Sequence, residues 1–212
     1  MKMNYEFQET MIDTIIFDFG DIFINLDKRA TIDGLKKLGL SEWNEDLNHL
    51  NFSFEKGEIS RENFLNGIQK HLPNASLNEI ENAWNAVLLD FPLKRLEFLQ
   101  KLSLKYRLFL LSNTDAIHIE TFEQANGVSF YSDFYQCFEK VYFSFEIGMR
   151  KPDTEIYNYL VAQHGLIAKH TLFVDDKKEN TDAAFSLGFN IWNLQVGEED
   201  VTDLFDKKII SQ

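Results

Sequence analysis

The chain has 212 residues, with 34 Asp and Glu against 21 Lys and Arg and a formal charge of −13. That balance excludes nucleic acid as a partner class and argues against an anionic membrane surface, because both need clustered cations. One lysine and a bound cation can still reverse the sign of a single pocket, so a small phosphorylated ligand stays open.

Cys137 is the only cysteine, which leaves no intrachain disulfide and fits a reducing compartment. Residues 1–9 have no signal-like apolar core, and no run reaches the roughly 18 apolar residues of a membrane span. A cytoplasmic chain is expected. The 20 phenylalanines point to a Phe-rich core rather than an aromatic binding platform.

In chain order, the first element is an apolar run at 14–17 that ends in Asp18 and continues as Phe-Gly-Asp21. A buried strand delivering a carboxylate at its C-terminal end is a common way to build a site in an open α/β sheet. Residues 26–91 contain no strand pattern and read as helices at 28–38, 43–50, 60–72 and 76–89. Ser76-Leu-Asn-Glu79 matches a capping box, and Ser60 is taken as the N-cap of the helix before it. Pro92 marks the return, followed by a helix at 93–105.

Four further strand-like runs follow at 107–111, 141–145, 171–174 and 190–194, separated by helix-like stretches as parallel βαβ units require. The run at 107–111 ends in Ser112, and the run at 171–174 ends in Asp175 and Asp176. Lys151 sits between them in Gly148-Met-Arg-Lys-Pro152. Helices are predicted at 153–165, with Gly165 as its stop, and at 179–187, ending at Gly188. The fold class is therefore α/β. A Rossmann-like parallel sheet core spans 1–26 and 92–212, interrupted after its first strand by a small helical cap at 27–91.

Four motifs in this order and context resemble the haloacid dehalogenase-like hydrolase superfamily, and most closely its phosphatases with a helical cap between the first and second motifs. The resemblance covers about residues 12–194. It implies a Mg²⁺-dependent phosphatase acting on a small phosphorylated metabolite, as a monomer or homodimer. Asp18 would be the nucleophile and form an aspartyl-phosphate. Ser112 would bond a phosphoryl oxygen, with help from Asn113. Lys151 would neutralise the transferring group. Mg²⁺ would be held by Asp18, the Gly20 backbone carbonyl and Asp176, with Asp175 binding through water or orienting the site. Taken singly, these residues have plainer readings. Ser112, Asn113 or Thr114 would serve as a helix cap, Lys151 as a surface lysine, and the acid pair as a turn. Arg150 reads as structural or solvent-facing.

One position departs from the family pattern. Most phosphatases of the superfamily carry a second acid two residues after the nucleophile, where this chain has Gly20. Some members with glycine there resemble sugar-1-phosphate phosphatases. Asp21, one residue further on, is the candidate acid or base. The departure keeps two alternatives in view: a haloacid dehalogenase, and a catalytically silent protein that binds a phosphorylated ligand. Glu55-Lys-Gly-Glu-Ile59 reads as a loop near the mouth of the site.

Overall fold

The structure, a computed structural model, describes residues 12–207 and 210, so the expectation for residues 1–9 lies outside the described residues. Five strands form one sheet: β1 (Thr14–Phe17), β2 (Arg107–Ser112), β3 (Lys140–Phe143), β4 (Thr171–Asp175) and β5 (Asn190–Asn193). Their spatial order is β3-β2-β1-β4-β5, and every pairing is parallel. The central strand β1 is buried on both faces, which explains an unbroken apolar run where a half-exposed strand would alternate.

Ile15 and Phe17 enter one hydrophobic cluster and Ile16 enters another, as the two-residue period of a strand demands. The first cluster is covered by α5 (Leu93–Leu102), α6 (Ala116–Asn126) and α7 (Val128–Tyr135). It is rich in phenylalanine: Phe17, Phe19, Phe23, Phe122, Phe134, Phe138 and Phe143 are all buried in it. The opposite face packs against α9 (Thr154–His164) and α10 (Lys178–Ser186) through Ile156, Tyr157, Leu160 and Ala184.

Four helices lie between β1 and α5: α1 (Ala30–Lys37), α2 (Glu45–Glu55), α3 (Arg61–Gln69) and α4 (Leu77–Asn85). They bury their own cluster, built on Leu35, Leu47, Phe54, Phe64, Ile68, Ile80 and Trp84. The Ser76–Glu79 capping box forms as expected. Ser60 caps the helix that follows it, not the one before, because its hydroxyl accepts the Asn63 amide. The two chain segments linking these helices to the sheet are paired. Asn25 N donates to Asp90 O at 2.9 Å, Leu89 N to Asn25 O at 3.0 Å and Asp27 N to Val87 O at 2.8 Å. Buried Arg95 braces this junction by donating to Asn25 Oδ1 and to the Phe23 carbonyl.

The third strand differs from the expectation at its end. The run at 141–145 reads as strand throughout, but β3 stops at Phe143 and the chain turns into the short helix α8 (Ser144–Ile147). Ser144 fixes the turn. Its hydroxyl donates to the Thr114 carbonyl and accepts the Thr114 amide, both at 3.0 Å.

Candidate active site

The register pairs Phe17 with Leu110 on one side and Val174 on the other. Asp18 and Asp175, one residue beyond these pairs, and Ser112, two beyond, therefore emerge together at the C-terminal edge of three adjacent strands. This edge is where open parallel sheets place ligands. Asp18 follows β1 directly and stays tied to the sheet through its amide, which donates to Val174 O at 2.9 Å.

Lys151 reaches the same point from the loop before α9. Its Nζ lies 2.7 Å from Asp18 Oδ1 and 2.7 Å from Asp175 Oδ2, with the side chain only 1 % exposed. Burial alone would depress the Lys151 pKa, but the carboxylates of Asp175 and Asp18 outweigh it and hold the ammonium charged. Burial pushes the Asp18 carboxyl up to about 6; Lys151 opposes the rise, and the charge on Asp175 adds to it. The lysine backbone is fixed as well. Asn113 Oδ1 accepts the Lys151 amide at 2.9 Å and Asn113 Nδ2 donates to the Lys151 carbonyl at 2.8 Å. The Asn113 side chain is thus spent on positioning Lys151.

Asp175 is fully buried, and its orientation is over-determined. Asn180 Nδ2 lies 3.0 and 2.9 Å from its two oxygens, the Lys177 amide donates to Oδ1 at 2.8 Å, and Lys151 takes Oδ2. Oxygens of Asp18, Asp175 and Asp176 lie within 4.8 Å of one another. Three carboxylates so close together, two of them buried, face the buried ammonium of Lys151 and the more exposed Lys28, which is shared with Asp21, so negative charge remains in excess. An all-oxygen donor set fits a hard divalent cation.

A cavity of about 360 Å³ opens over this cluster, lined at its base by Asp18, Gly20, Asp21, Ser112, Asn113 and Asp176. Of the site residues expected from the sequence, Asp18, Gly20, Asp21, Ser112, Asn113 and Asp176 line one cavity; Lys151 and Asp175 lie outside its lining and are joined to it by the Lys151 bonds to Asp18 and Asp175. Two residues are held differently from the expectation. The helix after Ser112 is capped by Asp115, whose carboxylate accepts the His118 amide at 3.0 Å, rather than by Ser112, Asn113 or Thr114. Asp21, at φ 59°, accepts the Leu26 amide on Oδ1 and faces Lys28 Nζ at 2.8 Å on Oδ2. A side chain at Gly20 would meet Leu26, whose Cδ1 lies 2.8 Å from the place a Cβ would take.

The helical side adds residues that the sequence did not mark. Lys28 Nζ bridges Asp21 and Asp176, at 2.8 and 2.7 Å. Trp84 Nε1 donates to Asp115 at 3.1 Å, and His118 stacks on the Trp84 ring and pairs with Asp115 at 3.0 Å. Burial opposes the charge on His118, yet Asp115 outweighs it and raises the imidazole pKa. Asn51 and Glu55 of α2 also line the cavity. Glu55 is the last residue of α2 rather than part of a loop, and it pairs with Arg150 at 2.9 Å. Only Glu55 lay in a segment with a visible charge pattern. Lys28 acts across the fold and leaves no local signature; Asn180 and Asn51 act within five residues of their partners.

The haloacid dehalogenase-like hydrolase family is matched over residues 15–193, and the chain belongs to that family. No helix among the described residues is long and apolar enough to cross a membrane. A D-ribitol-5-phosphate phosphatase of Bacteroides thetaiotaomicron is 27% identical over 205 residues, covering 89% of this chain and 95% of its own. A HAD family enzyme of the same organism, solved with magnesium and inorganic phosphate, is 34% identical with a TM-score of 0.81, covering 92% of this chain and 99% of its own. A HAD-like hydrolase of Porphyromonas gingivalis is 27% identical with a TM-score of 0.82, covering 95% and 100%.

Proposed function

We propose that this hydrolase is a Mg²⁺-dependent phosphatase of small phosphorylated metabolites, with sugar and polyol phosphates as the first class to test. The observation that carries the reading is the cluster of Asp18, Asp175 and Asp176 with the buried Lys151, of which Asp18 and Asp176 line the cavity. The phosphatase relative over most of the chain supports it, as does the structural relative solved with magnesium and phosphate.

In this reading an Asp18 oxygen attacks phosphorus as the bond to the leaving oxygen breaks, giving an aspartyl-phosphate. Water then attacks phosphorus, releasing phosphate and restoring the carboxylate. Lys151 holds Asp18 in place and balances its charge against that of the incoming phosphoryl group. Ser112 offers a hydroxyl to a phosphoryl oxygen. When bound, Mg²⁺ supplies positive charge against the phosphoryl oxygens; Asp18, the Gly20 carbonyl and Asp176 would hold it, with Asp175 orienting the set. Asp21 is engaged by Leu26 and Lys28, and Leu26 fills the place beside Gly20, so the leaving oxygen takes its proton from water. Residues 27–91 are read as a cap over this floor, on a core of 1–26 and 92–212.

A dehalogenase displaces halide from carbon and has no use for three clustered carboxylates, so the phosphatase reading is favoured over it. The test is phosphate release from a panel of sugar and polyol phosphates by the wild type and by Asp18→Asn. The expected result is turnover that requires Mg²⁺ and is lost in the variant. Release that persists in EDTA, or none across the panel, contradicts the proposal.

A further inference from the structure

The helical unit rests on α6 of the core. Ile117 is buried in the helical cluster, Glu120 pairs with Arg61 of α3, and Trp84 of α4 meets Asp115 and His118. The His118 ring is held on both edges by groups that can only accept. Nδ1 lies 3.0 Å from Asp115 Oδ2 and Nε2 lies 3.2 Å from the Trp84 carbonyl, while the ring stacks on the Trp84 indole at 5.2 Å and 5°. Only the doubly protonated imidazolium satisfies both edges. Its charge over the indole face adds an attraction that neutral imidazole lacks. Both acceptors have a second donor on their own side. Thr31 Oγ1 donates to Trp84 O at 2.9 Å, and the His118 amide donates to Asp115 Oδ1 at 3.0 Å. Parting α4 from α6 here leaves the carbonyl and the carboxylate satisfied. Only Trp84 Nε1, which donates to Asp115 at 3.1 Å, loses its partner.

We infer that His118 is a proton-dependent clasp between the two parts of the chain: charged, it holds α4 against α6; neutral, its bare Nε2 faces the Trp84 carbonyl, and this edge of the helical unit loosens beside the cavity that His118 lines. Burial opposes the charge on the ring, and Asp115 outweighs it, so His118 titrates above its ordinary 6.5. Glu55 of α2 also favours the charge, although Arg150 pairs with it. Lys28 and Lys177, elsewhere on the cavity wall, disfavour it, and Lys28 is paired with Asp21 and Asp176. Arg61, Glu81 and Glu120 pair among themselves on α3, α4 and α6. The stability that the clasp contributes is full below about pH 6.5 and is lost as pH rises through the higher folded value. The clasp does not depend on the phosphatase reading.

The test follows the ring ¹⁵N signals of His118, and the exchange with water of the three indole N–H groups, by NMR of the full metal-free chain from about pH 6 to about pH 9.5. Trp43 and Trp192, whose indoles bond to Asn48 and Glu199, are internal controls. At the acid end both His118 nitrogens should carry protons. Above a midpoint higher than 6.5, Nε2 should lose its proton, and Trp84 exchange should accelerate about tenfold more than that of the controls, with the same midpoint. His118→Gln, which cannot titrate, should lose that midpoint. Asp115→Asn should move it down. A His118 ring with one bare nitrogen at the acid end, or a ring titration that leaves Trp84 exchange in step with the controls, overturns the inference. So does a Trp84 midpoint that persists in His118→Gln. If either variant fails to fold, the wild-type titration decides alone.

Discussion

The two walls of the cavity are held in different ways. On the sheet side each side chain is fixed several times over. Asp175 has Lys151, Asn180 and the Lys177 amide, and Lys151 is gripped at its ammonium and at both polar atoms of its backbone. On the helical side Asn51 Oδ1 has no partner, and Glu55 is held by Arg150 with one long contact to Asn51. Reacting groups have to be preorganised, and they sit on strand ends where the register sets their spacing.

If the sheet side is over-determined, removing its single buried cation should do the most damage. Lys151→Met leaves Asp18 and Asp175 facing each other uncompensated. The expected cost is about 3–5 kcal/mol in urea unfolding of the metal-free protein, with phosphatase activity lost. Retained stability would show that the carboxylates are better solvated than their burial implies. Asn180→Leu removes a donor to both Asp175 oxygens and should cost about 1–3 kcal/mol by the same measurement, with weakened Mg²⁺ binding.

Where the helical side does touch the core closely, it should be intolerant too. Gly57 has φ +67°, and a Cβ there would lie 2.1 Å from the Phe145 carbonyl oxygen. Gly57→Ala should destabilise by about 2 kcal/mol and raise KM more than it lowers kcat. An unchanged melting temperature would mean that the contact yields freely.

Acid should act on the sheet side. The Asp18 carboxyl in the folded protein is pushed up to about 6 from an ordinary 3.8. Its protonated form is therefore favoured by folding, and metal-free stability should fall through this group as pH rises from about 4 to about 6. Mg²⁺ favours the charged form, so it should shift the titration downward, as carboxyl NMR would record. A titration near pH 4 in both states contradicts the burial argument.

The smallest change expected is at Lys28, whose side chain is 56% exposed. It stands against Asp176, where a cation would bind, so Lys28→Ala should tighten Mg²⁺ binding by roughly two- to fivefold in calorimetry. Weaker binding would mean that Lys28 supports the cation instead.

The parts of the fold written in local pattern were legible in the sequence. β1 runs over the same four residues as its apolar run, and the capping box at Ser76 forms as spelled. The candidate residues that the fold brings together were legible because strand ends, and one loop for Lys151, carry them in a recognisable order. What escaped depends on contacts between distant residues. The expected strand at 141–145 ends early because Ser144 bonds to Thr114, thirty positions away in the chain. α7 has an aromatic composition, Val-Ser-Phe-Tyr-Ser-Asp-Phe-Tyr, that shows no clear helical stripe. The Asp115 cap with its His118 and Trp84 partners, and the Lys28 bridge to Asp176, join segments that only the folded chain brings together.

The most direct measurement is an acid quench of the enzyme during turnover of a ³²P-labelled sugar phosphate with Mg²⁺, followed by peptide mapping. Label on the peptide containing Asp18, and none in Asp18→Asn, is the result this account predicts. Phosphate release with no labelled peptide, or undiminished turnover by Asp18→Asn, would contradict it.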